Sequence, residues 1–277
     1  ISGSVFNQAG LLNYGEDSYT RNTINTKINT KVYDWLRFNF MSKIASTNVE
    51  RPSYERKDFY YSLLRQWPTN APYYPDGNLA GEAVQIWLER GGMYNENQND
   101  LLVVPGVEIE PLKDWVIYAN YRWKYNPGLV TNHKAKVYGT DAYSMPVLLP
   151  GENYFTMGSQ VNTYNSPNIY TTYNKKYGES DFAIMAGFEQ ELFTNKTSFA
   201  TRYDLVTDEI PSLSTATGRN ENGGEMGHYS TRSYFGRLNY GYKEKYLFEL
   251  SGRFDGSSKF PKNYRWGMFP SGSAAYI

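Results

Sequence analysis

The sequence predicts an all-β protein, an antiparallel transmembrane β-barrel segment of about ten strands with long extracellular loops. Three observations predict it. Aromatic residues make up 17% of the 277 positions, with 27 Tyr among them, yet mean hydropathy is only −0.64. That combination suits a wall with one apolar and one wet face, because Tyr carries an apolar ring and a polar tip. Hairpins with strict two-residue alternation recur along the chain. Short turns at one end of these hairpins alternate with long polar segments at the other. Composition alone leaves a soluble β-sandwich or carbohydrate-binding module open.

The first hairpin alternates Ile24, Thr26, Ile28, Thr30 and Val32 with Asn25, Lys27, Asn29 and Lys31. It turns at Tyr33-Asp34 and returns through Leu36, Phe38 and Phe40. Residues 47–100 then read as a long loop, with helical turns expected over Phe59–Trp67 and Glu82–Glu89 and a break at Pro68, Pro72 and Pro75. A second hairpin spans 101–111 and 114–125, with Trp115, Ile117, Ala119 and Tyr121 on one face. Another long loop is expected over 126–180. A third hairpin is expected over 181–207, turning at Thr194-Asn195-Lys196, and a third loop over 208–230. The clearest hairpin comes last. Tyr234, Leu238, Tyr240 and Tyr242 share a face, as do Tyr246, Phe248, Leu250 and Phe254 across the turn Lys243-Glu244-Lys245. The opposite face, carrying Arg237, Asn239, Glu249, Ser251 and Arg253, is expected to line the lumen. Soluble domains rarely need several loops longer than about 15 residues, which favours the membrane barrel.

The charges balance at 28 basic and 28 acidic residues, giving no drive toward nucleic acid. There is no Cys, which excludes disulfides and thiolate metal sites. Apolar runs such as Met145–Leu149 fall far short of the ~20 residues of a membrane helix, so any span must be made of paired strands. The chain begins at Ile1 without Met or a leader, as expected of a processed chain or an internal piece.

The segments Ser233–Tyr240, Lys245–Leu247, Arg253–Phe260 and Arg265–Ser271 resemble, in the same order, the signature of the SusC/RagA family of TonB-dependent outer-membrane transporters. Within them stand Arg253-Phe254-Asp255-Gly256-Ser257-Ser258-Lys259-Phe260 and Trp266-Gly267-Met268-Phe269-Pro270-Ser271. Glu108–Trp115 and Tyr33–Leu36 are similar to family hairpin turns. The resemblance implies a barrel of about 22 strands, of which this chain supplies a fragment. It implies a plug domain and a TonB-contacting segment, neither of which is recognised in residues 1–277. It also implies a SusD-like surface lipoprotein partner, an oligosaccharide or peptide substrate, and multi-pass insertion in the lipid of the bacterial outer membrane. The expected function is TonB-dependent import of oligomeric nutrients, with no bond made or broken. The alternatives are a passive porin or a soluble carbohydrate-binding β-protein.

No catalytic residue, metal site or cofactor is expected. Asp255-Gly256-Ser257-Ser258 offers oxygens for a cation or sugar, but also reads as a turn leaving a strand. Asn95–Asp100 has oxygen ligands without EF-hand spacing and reads as a solvated loop. His133 and His228 both fall in predicted loops, with no nearby partner. Pro270 reads as a bulge or strand start. The aromatic residues Tyr60, Tyr61, Trp67, Tyr73, Tyr74 and Trp87 lie in one extracellular segment. They can pack the loop's own core, contact a partner protein or stack on substrate.

Overall fold

The computed structural model describes residues 1–54, 57–80, 83–141, 143 and 145–277, except for the side chains of Lys57 and Asp58. Ten strands form one antiparallel sheet. They are β1 (Ser2–Ala9), β2 (Ser18–Tyr33), β3 (Leu36–Pro52), β4 (Met93–Leu112), β5 (Trp115–Lys134), β8 (Tyr154–Tyr177), β9 (Ser180–Tyr203), β10 (Asn220–Tyr242), β11 (Tyr246–Ser257) and β12 (Trp266–Tyr276). Each pairs with its neighbours in chain order. The remaining strands, β6 (Tyr138–Thr140) and β7 (Pro146–Leu148), make a separate small hairpin inside one loop.

Turns at one end of the sheet are tight. Lys245 N donates to Tyr242 O (3.1 Å) across Lys243 and Glu244, whose φ values are 54° and 55°. Two consecutive left-handed residues make a type I′ turn, whose twist matches the flanking strands. The turns at Asp34-Trp35, Lys113-Asp114 and Gly178-Glu179 are shorter still, with two residues between strands.

The register fixes two faces. Directly opposed residues in an antiparallel pair share a face, so one row can be followed across the sheet. Thr30, Phe38, Val107, Ala119, Ile169, Phe188, Tyr234, Phe254 and Met268 form such a row. Its neighbours on the same face include Ile117, Ile184, Leu238 and Leu250. No layer covers this face among the described residues: Leu250 is 62% exposed, Phe248 49% and Ile184 49%. An apolar band of this extent open to water is foreign to a soluble sandwich and natural to a sheet whose outer face meets hydrocarbon.

Several strands are longer than a membrane requires. β8 and β9 have 24 residues each, roughly 80 Å at the usual rise, whereas a tilted strand crosses with about 9–11 residues. The excess projects beyond the apolar band at the end opposite the tight turns. This overturns four expectations. β9 runs straight through Thr194-Asn195-Lys196, and the actual turn lies at Gly178-Glu179. Asn95–Asp100 lies within β4, while His133 lies in β5 and His228 in β10. In the projecting part both faces meet water, so polar residues fill both and apolar alternation disappears. Loops shrink accordingly to 53–92, 135–153 and 204–219. β11 also continues through Asp255-Gly256-Ser257, and Pro270 sits inside β12 opposite Gly252. Phe269 and Ser271 keep register with Arg253 and Ser251 on either side of it, so the ladder runs through the proline without a bulge.

The buried core lies in the loops. Helices α1 (Lys57–Arg65) and α2 (Val84–Arg90) occupy the regions where helical turns are predicted, although Glu82 lies outside the described residues. Leu79, Ala80, Ala83, Ile86 and Val137 form one cluster. Phe59, Val84 and Leu88 form a second, joined by Leu12 and Tyr14 from the β1–β2 loop. Phe155, Leu205 and Ala216 form a third. Four loops thus pack into a folded cap at the end away from the turns.

Leu250→Arg on the apolar face is expected to cost ~2–4 kcal/mol in lipid, and Ser251→Arg on the other face under about 1 kcal/mol. Urea titration of the full barrel containing this chain, folded in phospholipid vesicles, measures both. Equal costs would contradict the assignment of faces.

Candidate functional site

Two surfaces carry the candidate functional residues: the polar face of the sheet and the cap. On the polar face, Arg237 stands opposite Ser251, Asn239 opposite Glu249, and Phe235 opposite Arg253. All five residues expected to line a lumen therefore share one face. Arg237 Nε lies 3.9 Å from Glu249 Oε2, and the Asn239 amide oxygen is buried with no partner among the described residues.

Arg253 organises a denser cluster. Its Nε donates to Asp255 Oδ1 (2.7 Å), and one terminal nitrogen reaches Ser233 Oγ (2.9 Å) and Glu189 Oε2 (3.4 Å). Glu191, two residues along β9, accepts from Thr231 Oγ1 (3.2 Å) and from the Tyr164 hydroxyl. A hollow of about 490 Å³ opens beside Glu189, Glu191, Arg253 and Asp255. Three carboxylates against the guanidiniums of Arg253 and Arg265, which also lines the hollow, leave this patch slightly acidic. Asp255 is thus engaged by Arg253 within a strand. No cluster of three or more His, Asp or Glu with metal-binding geometry occurs among the described residues. Sequence reasoning missed Glu189 and Glu191. Their signal was the alternation of Phe182, Ile184, Ala186 and Phe188 with Ala183, Met185, Gly187 and Glu189, which the misplaced turn obscured.

The cap sorts the six aromatic candidates into two groups. Tyr60, Tyr61, Trp67 and Tyr73 are exposed, next to exposed Leu63 and Leu64. Tyr74 and Trp87 instead pack on the core around Ile86, and Trp87 stacks on Tyr54 with centroids 5.2 Å apart. For these two, packing of the loop core is the observed role.

Polar staples hold the cap's loops together. His133 Nε2 lies 3.1 Å from Asp208 Oδ1, and Asn153 Nδ2 reaches the same oxygen at 3.4 Å. Arg219 pairs with both oxygens of Glu152 (2.6 and 3.0 Å) and lies over the Tyr203 ring at 3.7 Å. The hydrogen bond from Arg219 holds the Glu152 carboxyl below its ordinary value of 4.5 and raises the guanidinium's own.

No family model matches the chain. It is 40% identical over 129 residues to TonB-dependent receptor SusC of Bacteroides thetaiotaomicron, a match covering 44% of this chain and 12% of the relative. TonB-dependent receptor P26 of Formosa agariphila is 27% identical over 296 aligned positions, covering 99% of this chain and 28% of the relative. The structure superposes on that of the RagAB peptide importer in its closed-closed state with a TM-score of 0.82 at 17% identity. That match covers 98% of this chain and 32% of the other. In sequence and in fold, this chain is SusC/RagA-like. The matched segments cover 12% and 28% of these two receptors, and the chain corresponds to a portion of such a SusC/RagA-like barrel.

The Glu152–Arg219 staple carries a pH expectation. Because folding lowers the Glu152 value, its contribution is complete above the ordinary carboxylate range and is lost as pH falls through the lowered value. Hydrogen exchange of residues 204–219, corrected for intrinsic rates, should show weaker protection once pH falls below the ordinary carboxylate range. Arg219→Gln should loosen the segment at neutral pH and remove that acid step. Protection independent of both changes would contradict the staple.

Proposed function

We propose that this chain forms part of the wall of an energised importer in the bacterial outer membrane, passing oligomeric nutrients rather than transforming them. The observation that carries this reading is the segregation of the sheet's two faces beneath a folded cap. One face presents a continuous apolar band, and the other presents Arg237, Asn239, Glu249, Ser251, Arg253 and the Glu189–Glu191 pair. A wall built this way separates hydrocarbon from a wet passage. The likeness to TonB-dependent receptor SusC supports the mechanism. A plug supplied by other parts of the protein fills the lumen, and TonB, driven by the inner-membrane proton gradient, displaces it. Residues 1–277 fit as part of one barrel domain, with the remaining strands covering the edges of β1 and β12.

The exposed cap aromatics Tyr60, Tyr61, Trp67 and Tyr73 are the surface proposed to meet a SusD-like lipoprotein. Aromatic side chains give large contact area at low entropic cost, and they also suit sugar faces. The substrate class is an oligosaccharide or peptide captured between lipoprotein and barrel.

Uptake of labelled oligosaccharides and peptides by cells carrying the full protein tests this reading. Uptake should require TonB and collapse when a protonophore discharges the inner membrane. Energy-independent uptake would indicate a passive porin. Tyr61→Ala with Trp67→Ala should lower the amount of co-purified lipoprotein by about tenfold or more without changing barrel abundance. Undiminished co-purification would remove these aromatics from the interface.

A further inference from the structure

Arg232 stands on the wrong face for a lumen residue. By register it lies opposite Gln190 on β9 and Gly256 on β11, and Gly256 lies opposite Trp266 on β12. All four share the apolar face with Tyr234, Phe254 and Phe188, one row further from the tight turns. Arg232 lies ten residue steps along β10 from Tyr242. At the usual rise and a tilt near 40°, that places it about 25 Å from Tyr242 at the turn end of the sheet, the height of a barrel's apolar band. A charge at that height and on that face belongs to the headgroup layer.

Arg232 donates to the neutral amide oxygen of Gln190 (3.2 Å), and Arg265 donates to the Phe260 carbonyl (3.1 Å). Among the described residues neither guanidinium makes a direct ion pair, although Arg265 also borders the hollow of Glu189, Glu191 and Asp255. The segment from Gly256 at the end of β11 to Arg265 adds Lys259 and Lys262 and contains no acidic residue. A hollow of about 190 Å³ opens between Arg232, Arg265, Gln190, Ser230, Ser258 and Trp266. Its floor is aromatic. Trp266 lies flat across Gly256, where an added Cβ would approach the indole to 2.8 Å, and stacks on Phe254 at 4.8 Å.

We propose that this hollow binds the phosphorylated headgroup of an outer-leaflet lipid. The guanidinium of Arg232 takes the phosphate oxygens, with Arg265 completing the cationic side. A guanidinium presents paired donors that match phosphate, and an indole at headgroup level anchors the interface. The acyl chains descend along the apolar band past Tyr234, Phe254 and Met268. This rests on the reading that the apolar face meets lipid.

The test is native mass spectrometry of the full-length transporter, offered dioleoyl phosphatidic acid or dioleoyl phosphatidylcholine. The wild type should retain one phosphatidic acid in preference to phosphatidylcholine, and excess inorganic phosphate should not displace it. Arg232→Gln with Arg265→Gln should weaken retention about tenfold, and Arg232→Lys, which keeps the charge but loses the paired donors, should weaken it by a smaller factor. Gly256→Ala, which displaces Trp266 without removing charge, should weaken it as well. Equal retention of the two lipids, indifference to the double substitution, or displacement by inorganic phosphate would each overturn the proposal. Heat-modifiable migration of the same samples reports barrel folding separately. A folded barrel without headgroup preference sinks only this site, whereas no folded barrel in lipid sinks the wall itself.

Discussion

A sheet whose outer face meets hydrocarbon has nowhere to put an unpaired N–H or C=O except on the next strand, because each orphaned group there costs several kcal/mol. The pairing of ten strands in chain order is the response to that constraint, and the rest of the structure depends on it. A slip of one residue in any ladder would carry apolar side chains to the wet face and arginines to the lipid face. Register therefore sets chemistry here. Arg253 reaches Glu189 on β9 because Arg253, Phe235 and Gly187 share one row, beside the row of Ser233, Asp255 and Glu189.

The same constraint explains where the core sits. A barrel wall has no interior of its own, since one face is solvated by lipid and the other lines a wet space. Burial of the usual kind appears only where strands leave the membrane and their loops can pack together. The clusters around Ile86, Leu88 and Leu205 are built that way. Polar staples such as His133–Asp208 and Glu152–Arg219 tie loop 204–219 to the end of β5 and to the neighbouring loop. A cap made rigid in this way can present Tyr60, Tyr61 and Trp67 as a defined surface instead of a mobile fringe.

Legibility in the sequence followed the membrane. Inside the apolar band the two-residue period was plain, so the turns at Asp34, Lys113-Asp114 and Lys243-Glu244 and the faces of Arg237 through Arg253 could be read directly. Above the band the period vanished. Strands through Asn95–Asp100 and Thr194–Lys196 looked like loops because polar residues there face water on both sides. The helices of the cap were visible as composition, but which aromatics turn inward was not, since Trp87 and Trp67 differ only in what packs on them. Arg232 was hidden because a single cation breaks no pattern until register assigns it a face.

The most direct test of the two-faced wall is a spin-label scan of consecutive positions from Tyr246 to Ser257 in the full protein reconstituted into vesicles. Collision with oxygen, which partitions into lipid, and with a water-soluble nickel chelate would be measured at each position. The account predicts a two-residue period, with labels at 248, 250, 252 and 254 favouring oxygen and those at 249, 251 and 253 favouring nickel. A pattern without that period, or all positions equally open to nickel, would contradict it.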